Sequence, residues 1–322
     1  MSHAEKRTAI GVDLGGTSIK FALATEDGKI IKEDKKPTNT EAEKEVILAS
    51  LSAAIKEMKE YAQHKGYHPI TVGLGTPGSV EIKSGFLMGS TPNFLHWRNV
   101  QIKKELEKEV GLPVFVDNDA NLMALAETRF GAGIGHHHVI CLTIGTGVGG
   151  GIIIADHLYR GFRCAGAELG HLTIELEGLQ CNCGGKGCLE VYASATAIMR
   201  NFKEHYKKKK IPIQVDEMDV RYIFQLYRQN DPIAKKVIEE ACYYLGRGLS
   251  SLINIFNPSV IIIGGGVAEA GEIYLSKVRE TANHYAMEKP RDGVQIVGAR
   301  LGNKAGYLGA ISFAFESIDN PL

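Results

Sequence analysis

Between residues 171 and 190 the chain reads HLTIELEGLQCNCGGKGCLE, which sets His171, Cys181, Cys183 and Cys188 in one short loop. One imidazole and three thiolates form the tetrahedral donor set of a closed zinc site. Three of the chain's six cysteines fall within these eight residues, 181 to 188. In a reducing compartment such a cluster points to metal rather than to disulfides. A disulfide, or free thiols in a turn, are the competing readings. Four protein ligands leave no open position for an activated water, so the ion's expected role is structural. Gly184, Gly185 and Gly187 allow the loop to fold round it. Cys141, Cys164 and Cys242 stand singly and read as core or incidental residues.

A second chemistry is written in glycines. Three turns, DLGGTS at 13–18, GTGVGGG at 145–151 and GGGV at 264–267, expose backbone N–H groups that can surround phosphate oxygens. Their candidate anion-binding positions are Gly15, Gly16, Thr17, Thr146, Gly147, Gly265 and Gly266. Asp13 adds a carboxylate where a Mg²⁺ accompanying the phosphates would need one, and Thr17 adds a hydroxyl. Neither GxxxxGK[ST] nor a strand-turn-helix GxGxxG is present, which excludes a P-loop and a Rossmann site. Any one of these loops could be a plain hairpin turn.

The third candidate is VDNDANLMALAE, where a strand ends and a helix starts at about Asn118 or Asp119. Asp117 could cap that helix. Asp119, at the positive end of the helix dipole, is favoured as a carboxylate able to accept a hydrogen bond from an attacking alcohol. A structural capping role for Asp119 is the alternative.

These residues need a frame. TAIGVDLGGTSIKFALATEDGKIIKE reads as three antiparallel runs joined by tight turns. Ile47, Leu51, Ile55, Met58 and Ala62 then mark one apolar face of a helix over 41–65. PITVGLGTPG, a polar helix over 99–110 and PVFVDND complete a βββαβαβ unit of the α/β class. VICLTIGTGVGGGIII repeats the first hairpin about 130 residues later, which argues for two related domains. In that alignment Thr143 falls on Asp13, Gly145 on Gly15, and Ile152–Ile154 on Ala22–Ala24. Helical patterns dominate 189–256, then SVIIIGGGVAE supplies a buried strand and AGYLGAISFAFE a last helix.

Composition narrows the function further. Lys plus Arg equals Asp plus Glu at 37 each, so no net field favours nucleic acid or an anionic membrane. No apolar run reaches the roughly 20 residues of a membrane span. MSHAEKRTA lacks the apolar core of a signal peptide, so a cytoplasmic protein is expected. HHH at 136–138 and KKKK at 207–210 read as a polar loop and a solvated helix end.

VDLGGTSIK, GTPG, VDNDANLMALAE, IGTGVGGG, AGAELGH, CNCGGKGCLE and IIIGGGV, in this order and spacing, resemble the ROK family of bacterial sugar kinases. That family lies within the hexokinase–actin–Hsp70 superfamily, and the match runs from about residue 8 to residue 315. The resemblance implies two ribonuclease-H-like domains with an interdomain cleft, the actin-like ATPase/hexokinase fold. We expect an N-terminal domain of 1–118 plus 303–322 and a C-terminal domain of 119–302 carrying the zinc-binding loop.

It also implies ATP-dependent phosphorylation of a hexose at its primary 6-hydroxyl, with Mg²⁺ and a structural Zn²⁺, in a homodimer. Glucose is the expected sugar, although N-acetylmannosamine, N-acetylglucosamine, mannose, fructose and allose kinases share the motifs. Polyphosphate could replace ATP. By resemblance Asp119 is the base toward the primary hydroxyl, and Asn118, Glu168, His171 and Glu190 contact sugar hydroxyls. Gly78 would let the backbone approach the sugar, and Asn93 in TPNFLHW would bond a ring hydroxyl. Some family members are sugar-responsive gene regulators with an N-terminal helix-turn-helix domain. Only seven residues precede the first strand here, which favours the kinase expectation. An actin-like or chaperone-like ATPase would share the phosphate turns but gives no reason for the metal loop.

Overall fold

The computed structural model describes residues 6–89, 94–208 and 219–321. The chain folds as two compact units: Met1–Ile134 with Leu158–Ala167 and Asn303–Leu322, and Gly135–His157 with Glu168–Gly302. The first begins with β1 (Thr8–Leu14), β2 (Ser18–Thr25) and β3 (Ile30–Pro37), an antiparallel meander. Helix α1 (Lys44–His64) follows and buries Ile47, Leu51, Ile55, Met58 and Ala62, the face its spacing marked out. β4 (Pro69–Thr76) returns parallel to β1. A small antiparallel sheet of β5 (Val80–Glu81), β6 (Phe86–Leu87) and β7 (Val100–Gln101) precedes α2 (Ile102–Val110), which Gly111 ends in the left-handed conformation. β8 (Val114–Asn118) runs parallel to β4 and leads into α3 (Asp119–Phe130).

The second unit opens with the hairpin β9 (His138–Ile144) and β10 (Val148–Ile154), followed by the short β11 (His157–Leu158). The metal loop leads into α4 (Glu190–Ala193) and α5 (Ala195–Lys208). Then come α6 (Val220–Arg228), α7 (Pro232–Phe256) and β12 (Val260–Gly264). α8 (Glu272–Tyr285), α9 (Glu288–Arg291) and β13 (Gln295–Gly298) complete it. The last helix, α10 (Ala305–Asp319), belongs to the first unit. It lies directly on the backbone of β1 and β4, because a Cβ at Gly11 or Gly73 would overlap the carbonyls of Tyr307 or Ala310.

The described residues form two sheets of matching order, β3-β2-β1-β4-β8 and β11-β10-β9-β12-β13. Asp13 pairs with Gly75 on the parallel neighbour as Thr143 pairs with Gly264, so the repeat read from sequence is structural. Its alignment shifts after the turn. Leu14 faces Ile19, but Ile144 faces Val148, so the second hairpin closes one residue sooner. Ile152 therefore occupies the place of Leu23, opposite Ile140 as Leu23 is opposite Ile10, instead of the place of Ala22.

The unit boundaries also differ from those expected. Helix α3, assigned by sequence to a domain beginning at 119, packs within the first unit, which runs on to Ile134 and regains Leu158–Ala167. The physical reason is close packing: a Cβ at Gly309 of α10 would overlap the carbonyl of Leu122 on α3.

Candidate active site and metal centre

In the first unit the candidate residues gather at the carboxyl ends of the parallel strands, where open α/β sheets bind ligands. Asp13, Gly75 and Asp117 stand side by side on β1, β4 and β8. Asn118, not Asp117, caps α3: its side-chain oxygen accepts from the N–H groups of Ala120 (2.9 Å) and Asn121 (3.2 Å). Its amide nitrogen donates to the Gly78 carbonyl at 3.2 Å, leaving the second N–H of that amide for a ligand. Asp119 opens the helix, and one carboxylate oxygen accepts from the Ala120 N–H at 2.9 Å.

Asp117 has a different role from the cap that sequence suggested. It is 1% exposed, and Oδ2 accepts from Nε of Arg160 at 2.8 Å, with an Arg160 Nη2 also at 2.8 Å. Oδ1 accepts from the Asn118 N–H (2.7 Å) and from the Asn121 amide (3.1 Å). The carboxylate thus fixes the strand-to-helix junction that presents Asp119. Arg160 lies 43 residues downstream of Asp117, beyond the reach of local pattern, and its guanidinium sits 5.1 Å from the Phe313 ring centre.

Burial pushes the Asp13 carboxyl up to about 6; the charge of Asp119 adds to the rise and Lys20 opposes it. The first turn of α10 leaves no room between them, since a Cβ at Gly306 would overlap that carboxyl. Lys20 is the cross-strand partner of Asp13 and donates to the Asn303 side chain at 2.9 Å. Sequence reasoning passed over it, although counting the hairpin pairs would have found it. Gly16 and Thr17 are exposed at the turn, and the half-buried Gly15 closes it by donating to the Ser18 carbonyl at 3.1 Å. Gly78 has φ +98° and its missing Cβ would overlap the Gly89 carbonyl, so glycine is required there by its own packing. Nearby, buried Trp97 donates to Thr76 Oγ1 at 2.8 Å and steadies the GTPG turn. Asn93 lies outside the described residues.

In the second unit His171, Cys181, Cys183 and Cys188 bring their ligand atoms within 4.8 Å of one another. His171 Nδ1 is 3.6 Å from Cys181 Sγ, and the sulfurs of Cys183 and Cys188 are 3.6 Å apart. Tetrahedral Zn–S bonds of about 2.3 Å would separate sulfurs by about 3.8 Å, so the donor set fits zinc in type and spacing. Burial and the neighbouring thiols push Cys188 up to about 12, whereas hydrogen bonding, first from the Gly185 backbone, lowers Cys183. A divalent cation would supply the charge that three crowded thiolates need. The loop closes through Cys181 N–H to Gly185 O (2.8 Å) and Gly187 N–H to Leu179 O (2.8 Å). With Nδ1 turned to the sulfurs, His171 keeps Nε2 for another partner. Exposed Glu168 precedes the 3-10 turn Leu169–His171, three residues from His171 and hence on the same face.

The hairpin turn 145–147 is held from one side. Ala195 N–H donates to the Gly145 carbonyl and Thr196 Oγ1 to the Thr146 carbonyl, each at 2.8 Å. In a trans peptide the N–H points opposite to the C=O, so the N–H groups of Thr146 and Gly147 are directed away from α5. Glu190 Oε2 accepts from the Val148 N–H at 2.9 Å, and a Cβ at Gly147 would overlap that oxygen. Gly265, φ +86°, and Gly266 continue β12 beside this turn, where Val267 N–H bonds the Ile144 carbonyl at 3.1 Å. The histidine run makes separate bonds, His136 to Ser259 (2.9 Å) and His137 to Asp156 (2.8 Å). Of the lysine run, Lys207 and Lys208 end α5 and the rest lies outside the described residues.

The model of the ROK family matches residues 9–317. The chain belongs to the ROK family. Among its ROK relatives it is similar to a glucokinase of Thermotoga maritima, 41% identical over 319 residues that cover 97% of this chain and 99% of the relative. It is also similar to the crystal structure of a ROK family glucokinase from Streptomyces griseus in complex with glucose and AMPPNP. That match has 38% identity and a TM-score of 0.83, and covers 96% of this chain and 99% of the other. A xylose repressor of Caldicellulosiruptor bescii is 32% identical over 314 residues, which cover 96% of this chain and 78% of the repressor. The actin-like ATPase fold expected from sequence is the fold of this ROK chain.

Proposed function

We propose that the protein is an ATP- and Mg²⁺-dependent hexose kinase that converts glucose to glucose 6-phosphate. The observation that carries the reading is the meeting of Asp119 and Asp13 at the carboxyl edge of the first sheet, close enough for one charge to raise the other's pKa. Similarity to glucokinases along nearly the whole chain supports glucose as the sugar.

In this reading Asp119, held at the start of α3, accepts the hydrogen bond of the primary hydroxyl and takes its proton late in a loose transition state. Alignment therefore matters more than basicity. Asn118 offers its remaining amide N–H to a neighbouring hydroxyl, and Glu168, His171 Nε2 and the free oxygen of Glu190 hold others. The candidate phosphate-binding positions are Gly15, Gly16 and Thr17, with Lys20 near them, and Thr146, Gly147, Gly265 and Gly266. Bound Mg²⁺ would neutralise charge developing on the phosphates, with Asp13 beside it. Zinc at His171, Cys181, Cys183 and Cys188 would fix the geometry of the loop.

Among the described residues no helix is long and apolar enough to cross a membrane. A cytoplasmic setting, which keeps cysteines reduced and available to a metal, is part of the same reading. Homodimeric assembly belongs to the same reading by family. A coupled ADP-release assay across a sugar panel tests it. Glucose should give the highest kcat/KM and Asp119→Asn should remove the turnover. The similarity to a xylose repressor favours one second reading, a sugar-responsive regulator, which the same assay would favour if no sugar stimulated ADP release.

A further inference from the structure

The cysteine loop and the nucleotide turn, separate in sequence, are joined by a short rigid path. Cys188 belongs to the cluster of His171, Cys181, Cys183 and Cys188 whose donor atoms could hold a metal ion. Leu189 follows it, fully buried, with its N–H bonded to the Leu172 carbonyl at 2.8 Å and its side chain packed where Gly248 of α7 leaves room. Glu190 comes next and accepts from the Val148 N–H at 2.9 Å. Ala195 and Thr196, a few residues on, hold the carbonyls of Gly145 and Thr146. The bonds that turn the N–H groups of Thr146 and Gly147 outward come from Ala195 and Thr196, and Glu190 holds the next N–H, so all three belong to the segment that leaves Cys188. The fit is close, for even a methyl group at Gly147 would displace Glu190.

We infer that the Cys₃His cluster positions the phosphate-binding turn, with Glu190 as the positioning residue between them. Metal occupancy then sets nucleotide affinity even without sugar. The inference rests on the kinase reading for the nature of the ligand. It departs from that reading by giving the metal loop a task on the nucleotide side. Rigidity is the physical basis: a clamped Cys188 leaves Leu189 and Glu190 little freedom, so the turn is ordered before the phosphates arrive and less entropy is lost on binding.

The test is calorimetric titration of Mg²⁺–AMPPNP into the full chain without sugar, with zinc content measured on every sample. Samples are the protein as purified, the same protein after chelation, and the variants Cys183→Ser, Glu190→Ala, Glu190→Gln and Gly147→Ala. Far-UV circular dichroism establishes which remain folded. Chelation, Cys183→Ser and Glu190→Ala should each weaken AMPPNP about tenfold. Glu190→Gln, which keeps an acceptor oxygen, should recover most of the loss. Gly147→Ala should weaken AMPPNP and also raise the sugar KM, since it pushes on Glu190. If chelation unfolds the loop, the two Glu190 variants still decide the matter. Unchanged AMPPNP affinity in metal-free or Glu190→Ala protein would overturn the inference while leaving the kinase reading intact. Failure of the unaltered protein to bind AMPPNP would overturn both.

Discussion

The two hairpin turns, 15–17 and 145–147, close equivalent strands of equivalent sheets yet are held by different means. The first is lightly braced, with exposed Gly16 and Thr17, and stands beside ionisable groups: Asp13, Lys20, Asp119 and buried Asp117 with its half-buried partner Arg160. The second has Thr143 where the first has Asp13, and backbone and side-chain bonds from α4 and α5 clamp it. The same scaffold therefore serves two ends. In the proposed reading one edge concentrates charge for the reaction, and the other fixes backbone dipoles for an anion.

The largest expected effect falls on the first edge alone. Asp119→Asn should lower kcat by about a hundred- to ten-thousandfold, the span typical of a lost general base, while AMPPNP affinity is unchanged. Steady-state kinetics with calorimetry checks both, and a parallel loss of nucleotide binding would break the contrast between the edges.

Next is Arg160→Ala, which leaves Asp117 buried without its cation and should cost about 3–5 kcal/mol in urea unfolding. The double variant Asp117→Asn/Arg160→Ala should regain much of that, because no charge is then stranded. No recovery would mean that Arg160 acts through packing on Phe313 instead.

Asp13→Asn should stabilise the protein measured without Mg²⁺ or nucleotide. The folded-state pKa near 6 lies above the ordinary carboxyl value of 3.8, so between these pH values the folded chain retains a proton that the unfolded chain has lost. Stability thus declines as pH rises through that window and the penalty is complete above about 6. The variant escapes it, with a gain of about 3 kcal/mol at pH 7.5 that shrinks toward pH 4. Its kinase activity should fall nonetheless. A gain independent of pH would show that the Asp13 charge is not the cause.

The smallest effect sharpens the other side. Thr196→Val removes one neutral hydrogen bond to the Thr146 carbonyl and should weaken AMPPNP by only about threefold, with kcat unaltered.

Features carried by neighbouring residues were legible in the sequence as geometry. The metal cluster, the glycine turns, the start of α3 and the repeat all depend on spacing within a loop, a helix turn or a hairpin. Features that depend on distant partners were hidden. Arg160 meets Asp117 across 43 residues and Glu190 meets Val148 across 42, and neither pair leaves a periodic trace. The choice of cap at α3 turned on a single position, since Asp117, Asn118 and Asp119 are all good caps and only the strand end decides which one has extended backbone. The shift in the repeat arose in the same way, from one residue fewer inside the second turn. The grouping of α3 with the first unit was not legible because its glycine-mediated contact with α10 is made with the far end of the chain.

The most direct measurement is the ³¹P NMR spectrum of the product formed from glucose, ATP and Mg²⁺. The account expects a phosphate ester resonance split into a triplet by the two protons of a primary carbon, growing with ADP and absent with Asp119→Asn. A doublet, marking transfer to a secondary hydroxyl, or inorganic phosphate as the sole new signal, would contradict it.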